Sequence, residues 1–194
     1  RDKIELVLNG YLNPKDQRLI EDLGLANMVT QTGITGYQES LEIIKSADIL
    51  YLPLFYDLRH QRNYCIPGKV FPYMASMRPI IAPVQDGSLK DILLKSGLAK
   101  TVDPLKRTRL VEALRSEIDV YYGNGDGISP DISYIRSFSR ENQAVRLIEF
   151  VKSRLMSYEA KPKRVLLINF FFPPCGSSST ARAAGFAKNL EKFG

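Results

Sequence analysis

The chain has 194 residues, 44% of them hydrophobic and 25% charged, the balance of an ordinary globular domain, alone or with a fragment attached. No stretch reaches the roughly 18 uncharged apolar residues of a membrane span. The formal charge of +6 suits an anionic ligand, an anionic membrane surface or plain solvation. One histidine, His60, cannot build a histidine metal site, and Cys65 and Cys175 form no CxxC pair, so no metal and a reducing, cytoplasmic setting are expected. His60 stands between Arg59 and Arg62, where a solvated side chain is a plainer reading than a catalytic base. The charges lack an aromatic-interleaved stripe, so nucleic acid is not an expected partner.

In chain order, Ile4–Leu8 reads as a strand. Asn13-Pro14 reads as N-cap and first helical residue of a helix that runs to Leu23 and stops at Gly24. Met28–Gln31 is a short strand ending at Thr32-Gly33, and Gly36–Ser46 is a helix with Tyr37, Leu41 and Ile44 on one face. Asp48–Leu54 is strongly apolar and reads as a central parallel strand buried on both faces. After an irregular loop, Pro67 opens a helix to Ser76 and Ile80–Pro83 is a strand. Ser88 caps a helix closed by Gly97, with Asp91 completing a partial capping box. Lys100–Val102 is a strand and Leu105–Tyr121 a helix. Gly123–Pro130 is a loop that lacks the glutamate of a calcium-binding loop.

One long helix is expected over Ser133–Met156, then a linker, 157–163. Beyond it come an apolar strand, Val165–Phe171, a Pro/Gly/Ser loop and a helix, Ala181–Lys192. Alternating strands and helices predict an α/β, Rossmann-like, doubly wound parallel sheet with ligands at the strands' carboxyl ends.

Two segments carry candidate chemistry. Pro67, Gly68 and Lys69 put backbone N–H groups and a cation at a helix start, where a phosphate would offset the lysine's clash with the helix dipole; a solvated lysine is the alternative. Gly176, Ser177, Ser178, Ser179 and Thr180 can cap a helix or present hydroxyls to an anion or acceptor, but no GK[ST] follows, so this is not a P-loop.

The motifs Ala47–Pro53, Ile66-Pro67-Gly68-Lys69-Val70-Phe71, Tyr73–Ser76 and Pro79–Ala82, with Val7–Gly10, Val29–Gly33 and Gly87–Gly97 around them, resemble the donor domain of GT-B glycosyltransferases of family 4. The resemblance covers about residues 4–155. It implies a nucleotide-sugar, bound as substrate without a cofactor or metal. The diphosphate would lie at Pro67, Gly68 and Lys69, and the base near Gly33 and Tyr37, with Gly10 on the first turn. The acceptor would be a glycan or a lipid-linked sugar, with peripheral contact to an anionic inner membrane as a further expectation.

Tyr64 and Pro72 stand where that family has paired glutamates. Their loss favours a rival reading as a non-catalytic scaffold or nucleotide-sugar binding module. A GT-B epimerase is a second rival. The segment 164–194 resembles the opening of an N-terminal GT-B domain. That order is open to a tandem protein, a permutation or removed intervening sequence, and an incomplete enzyme is expected in each case. Burial of Val165–Phe171 would be favourable in the sheet slot of the missing first strand–helix unit.

Overall fold

The computed structural model describes residues 4–59, 62–155 and Lys188. The chain separates into two compact units, Arg1–Ala47 and Asp48–Gly194. The strand Val165–Phe171, the final helix and the linker of the sequence reading lie outside the described residues.

In the first unit, β1 (Leu6–Asn9) and β2 (Val29–Gly33) pair in parallel, joined by α1 (Pro14–Asp22) and a short 3-10 turn, Ala26–Met28. Helix α1 starts where Asn13-Pro14 predicts. Asn13 is extended and its side chain accepts from the backbone N–H groups of Lys15 and Asp16, while Pro14 occupies a position whose N–H would be unbonded in any case. Helix α2 (Tyr37–Ser46) follows β2.

The second unit holds a parallel sheet in the order β3-β4-β5, made of Leu50–Tyr51, Ile80–Pro83 and Ala99–Val102. The helices α3 (Val70–Ala75), α4 (Ser88–Ser96) and α5 (Arg107–Tyr121) connect or follow these strands, and α6 (Ile132–Arg136) and α7 (Arg140–Leu155) complete the described chain. Parallel strands joined by helices give the expected α/β, Rossmann-like class. No described helix is long and apolar enough to cross a membrane.

Central position falls to β4, not to the Asp48–Leu54 segment. All four residues of β4 are buried, whereas in β3 Leu50 is buried and Tyr51 is 47% exposed. Among the described residues β3 pairs only with β4, through alternate N–H groups: Leu50 donates to Pro79, Leu52 to Ile81 and Leu54 to Pro83. Pro53 has no N–H to donate, which suits this one-sided ladder.

The core lies between the sheet and its helices. Val70 and Met74 of α3 are buried, as are Leu89 and Leu93 of α4, each pair one helical turn apart. A buried leucine or isoleucine contributes roughly 2 kcal/mol.

Three other boundaries differ from the pattern. Gly87, not Ser88, is the cap residue of α4, and no side-chain cap bond forms there. Helix α3 begins at Val70, so Pro67–Lys69 forms a turn ahead of it. The single helix expected over Ser133–Met156 is divided between α6 and α7. The Ser137 hydroxyl donates to the Tyr134 carbonyl at 2.6 Å, while the Ser139 hydroxyl accepts from Asn142 N–H and so caps α7. Serine competes with the helix ladder in this way, and Ser137-Phe138-Ser139 supplies two such residues. Phe138 is held at the break by Phe71 and Tyr134, with ring centroids 5.6 and 5.2 Å away.

Candidate functional site

The six predicted donor residues fall in the two units. In the first, Gly10 and Gly33 meet at the carboxyl end of the β1–β2 pair. Gly10 N–H donates to the Gly33 carbonyl at 2.9 Å. Both have positive φ, 129° and 72°, which glycine adopts freely. Beside them the Asn9 amide and Thr35 hydroxyl are hydrogen-bonded. Tyr37 is the first residue of α2 and is 60% exposed.

In the second unit, Pro67 and Gly68 are partly buried and Lys69 is exposed. The turn closes by Val70 N–H donating to the Pro67 carbonyl, and Lys69 sits at the cap position of α3. Tyr73, the next turn along, is partly buried, and that desolvation pushes its phenol up from the usual range. Pro72, in the first turn of α3, and Tyr64, 71% exposed, occupy the two expected carboxylate positions.

The residue that organises this corner is Asn63, which the sequence reading did not single out. It is 4% exposed. Its side chain donates to the Phe55 carbonyl at 3.0 Å and accepts from Cys65 N–H at 2.9 Å. Its backbone N–H donates to the Asp86 carbonyl, and its carbonyl accepts from Ser88 N–H at 3.2 Å. The loop after β3 is thereby fastened to the turn after β4. Asp57 and Gln85 add a second tie: the Gln85 side-chain oxygen accepts from Asp57 N–H, and its amide donates to the Asp57 carbonyl.

Because the Asn63 carbonyl engages a first-turn N–H of α4, the protein itself occupies part of that helix start. Charge near the α4 start is balanced within the protein. Lys90, hydrogen-bonded to Asp86 at 2.6 Å, holds that carboxyl below its usual range, with Arg62 adding to the effect, and Arg62 also pairs with Asp91 at 3.2 Å. A glycine ahead of a helix, where asparagine, aspartate or serine is usual, was the available signal for this corner.

His60 and the loop Gly176, Ser177, Ser178, Ser179 and Thr180 lie outside the described residues. Cys65 is an exposed free thiol.

No family model matches the chain, and no curated protein matches it. Among solved structures, the chain is similar to sucrose-phosphate synthase from Thermosynechococcus elongatus, with 18% identity and a TM-score of 0.60. The likeness covers 79% of this chain and 39% of that one, so the chain spans well under half of that protein's length. The shared feature is the fold. This chain has the α/β fold seen in that enzyme.

Proposed function

We propose that this chain is the donor-binding part of a glycosyltransferase that moves a sugar from a nucleotide-sugar to a glycan or lipid-linked acceptor. One observation carries the reading. The turn Pro67–Lys69 lies on the loop that leaves the carboxyl end of β3, in a unit whose strands are all parallel, and ligands of such sheets gather at that edge. The fold likeness to a sucrose-phosphate synthase supports sugar transfer as the chemistry.

In this reading the Lys69 ammonium and the backbone of Pro67–Lys69 receive the diphosphate. The sequence motifs around Gly10, Gly33 and Tyr37 of the first unit resemble a nucleotide-base turn, and Tyr37→Ala tests that expectation by itself. No side chain of the described residues is assigned as a catalytic group.

A second reading has its own support. Tyr64 and Pro72 supply no carboxylate for donor hydroxyls, which favours a binding module or scaffold without turnover.

The test is calorimetric titration of the chain with UDP, GDP and a UDP-sugar, repeated on Lys69→Ala. Saturable binding that weakens by about tenfold in the variant is expected, as for loss of a charge-assisted contact. Equal binding by the variant removes Lys69 from the site. Absence of binding by the folded chain overturns the donor reading.

A further inference from the structure

Asn9 and Asn124 are each followed by glycine. Such a pair is chemically labile. The glycine has no side chain to hinder its backbone nitrogen, which can attack the carboxamide carbon of the asparagine before it. The fold puts the two pairs in opposite circumstances, one in each compact unit.

Asn9-Gly10 is held at both reacting groups. Gly10 N–H donates to the Gly33 carbonyl at 2.9 Å. The Asn9 amide nitrogen donates to the Thr35 hydroxyl at 2.9 Å, and that hydroxyl lies 3.1 Å from the Asn9 side-chain oxygen, to which it donates. Ring closure here requires these bonds to open first.

Asn124-Gly125 lies just past the end of α5. Gly123 there has φ of 82°. Its N–H donates to the Val120 carbonyl at 2.9 Å, and Asn124 N–H donates to the Asp119 carbonyl at 2.8 Å, the two bonds of a Schellman ending. The helix end thus uses the Asn124 backbone N–H and leaves the reacting groups alone. Among the described residues nothing bonds the Asn124 carboxamide or the Gly125 N–H. Both residues are exposed to the water that the reaction consumes.

We propose that Asn124 is a site of spontaneous covalent modification, converting to aspartate and isoaspartate, while the fold protects Asn9. The Gly125 nitrogen gives its proton to solvent and bonds to the Asn124 carboxamide carbon. The bond from that carbon to the amide nitrogen breaks, and the nitrogen leaves as ammonia with a proton taken from solvent. Water then adds to one or the other carbonyl of the cyclic imide and opens it to aspartate or isoaspartate. Water is the only co-reactant. The product carries a new carboxylate at the carboxyl end of α5, where the helix dipole disfavours negative charge. The inference does not depend on nucleotide binding.

The experiment is incubation of the whole chain at mildly alkaline pH, followed by peptide mapping that separates asparagine, aspartate and isoaspartate at both positions. Conversion at Asn124 should be about tenfold faster than at Asn9, the factor for a net hydrogen bond that must open first. In urea, which releases both pairs from the fold, the two rates should converge. Asn124→Gln, whose longer side chain closes a ring far more slowly, should remove most of the isoaspartate that the folded chain forms. Equal rates in the folded chain, faster conversion at Asn9, or a ratio that urea leaves unchanged overturns the proposal. Isoaspartate that persists in Asn124→Gln comes from another position and also overturns it.

Discussion

A Cβ atom placed on Gly87 would lie 1.8 Å from the carbonyl oxygen of Asn63. That oxygen cannot retreat cheaply, because it accepts the Ser88 N–H and its residue is pinned at both ends of its side chain. Gly87 also has φ of 145°, outside the range of other residues. Gly87→Ala should therefore break the junction between the β3 loop and α4. A loss of roughly 3 kcal/mol is expected from combined overpacking and backbone strain. Thermal denaturation checks this. A midpoint within a degree or so of the parent would show that the loop can move aside.

Met77 has φ of 58° and is the only described non-glycine residue with positive φ. It closes α3, with its N–H donating to the Met74 carbonyl, and the residue type that suits such a stop is glycine. Met77→Gly should stabilise the chain by up to about 1 kcal/mol, through relief of left-handed strain on a side chain that is only partly buried. An unchanged or lower midpoint would mean that packing of the Met77 side chain outweighs the strain.

These positions show where the sequence was legible. Local chemistry read well. Asn13-Pro14 announces α1, and Gly97 ends α4 in the left-handed conformation with φ of 68°. At Gly97 there is also tertiary need, since a Cβ would meet the Ser129 carbonyl at 1.9 Å. Which apolar run becomes central did not read. Both 48–54 and 80–83 are apolar, and only sheet order places β4 between two neighbours. The α6–α7 break was hidden by helical periodicity that continues through Ser137–Ser139. Asn63 was invisible because the bonds that tie its loop to the α4 turn, from its backbone to Asp86 and Ser88, lie far along the chain, while its side-chain bond to Cys65 alone reads as an ordinary turn. For the candidate site, the motif placed Pro67–Lys69 on the loop leaving the β3 edge, but it could not foresee that the start of α4 is engaged by Asn63.

Glu117 on α5 is almost wholly buried and pairs with Lys100 of β5 at 2.8 Å, while the same ammonium donates to the Ser116 hydroxyl at 2.7 Å. The ammonium is about a third exposed, so water moderates the attraction. Removing the lysine leaves a buried carboxylate without its cation, which is costlier than the pair is worth. Lys100→Met should destabilise by about 2 kcal/mol after allowance for that exposure. Lys100→Met combined with Glu117→Leu should recover much of the loss, because two apolar side chains then fill the space. Urea denaturation of both variants measures the difference. A double variant no better than the single one would show that the buried charge is not the source of the cost.

Asp131 caps α6: its carboxylate accepts from Tyr134 N–H at 2.9 Å and from the Ser133 hydroxyl at 2.7 Å. The Tyr134 backbone bond, and after it the Ser133 hydroxyl, hold this carboxyl below its usual range. A carboxyl whose folded pKa lies below its unfolded value binds fewer protons when folded, so its contribution is present above the ordinary carboxylate range. It is lost as pH falls through the folded value. Asp131→Asn keeps an oxygen acceptor at the cap but removes the titration. The parent should therefore be the more stable of the two near neutrality, and the gap should close as the solution is acidified below the carboxylate range. Melting both proteins across that pH range tests the sign. A gap that is the same at every pH would assign the effect to geometry of the cap rather than to its charge.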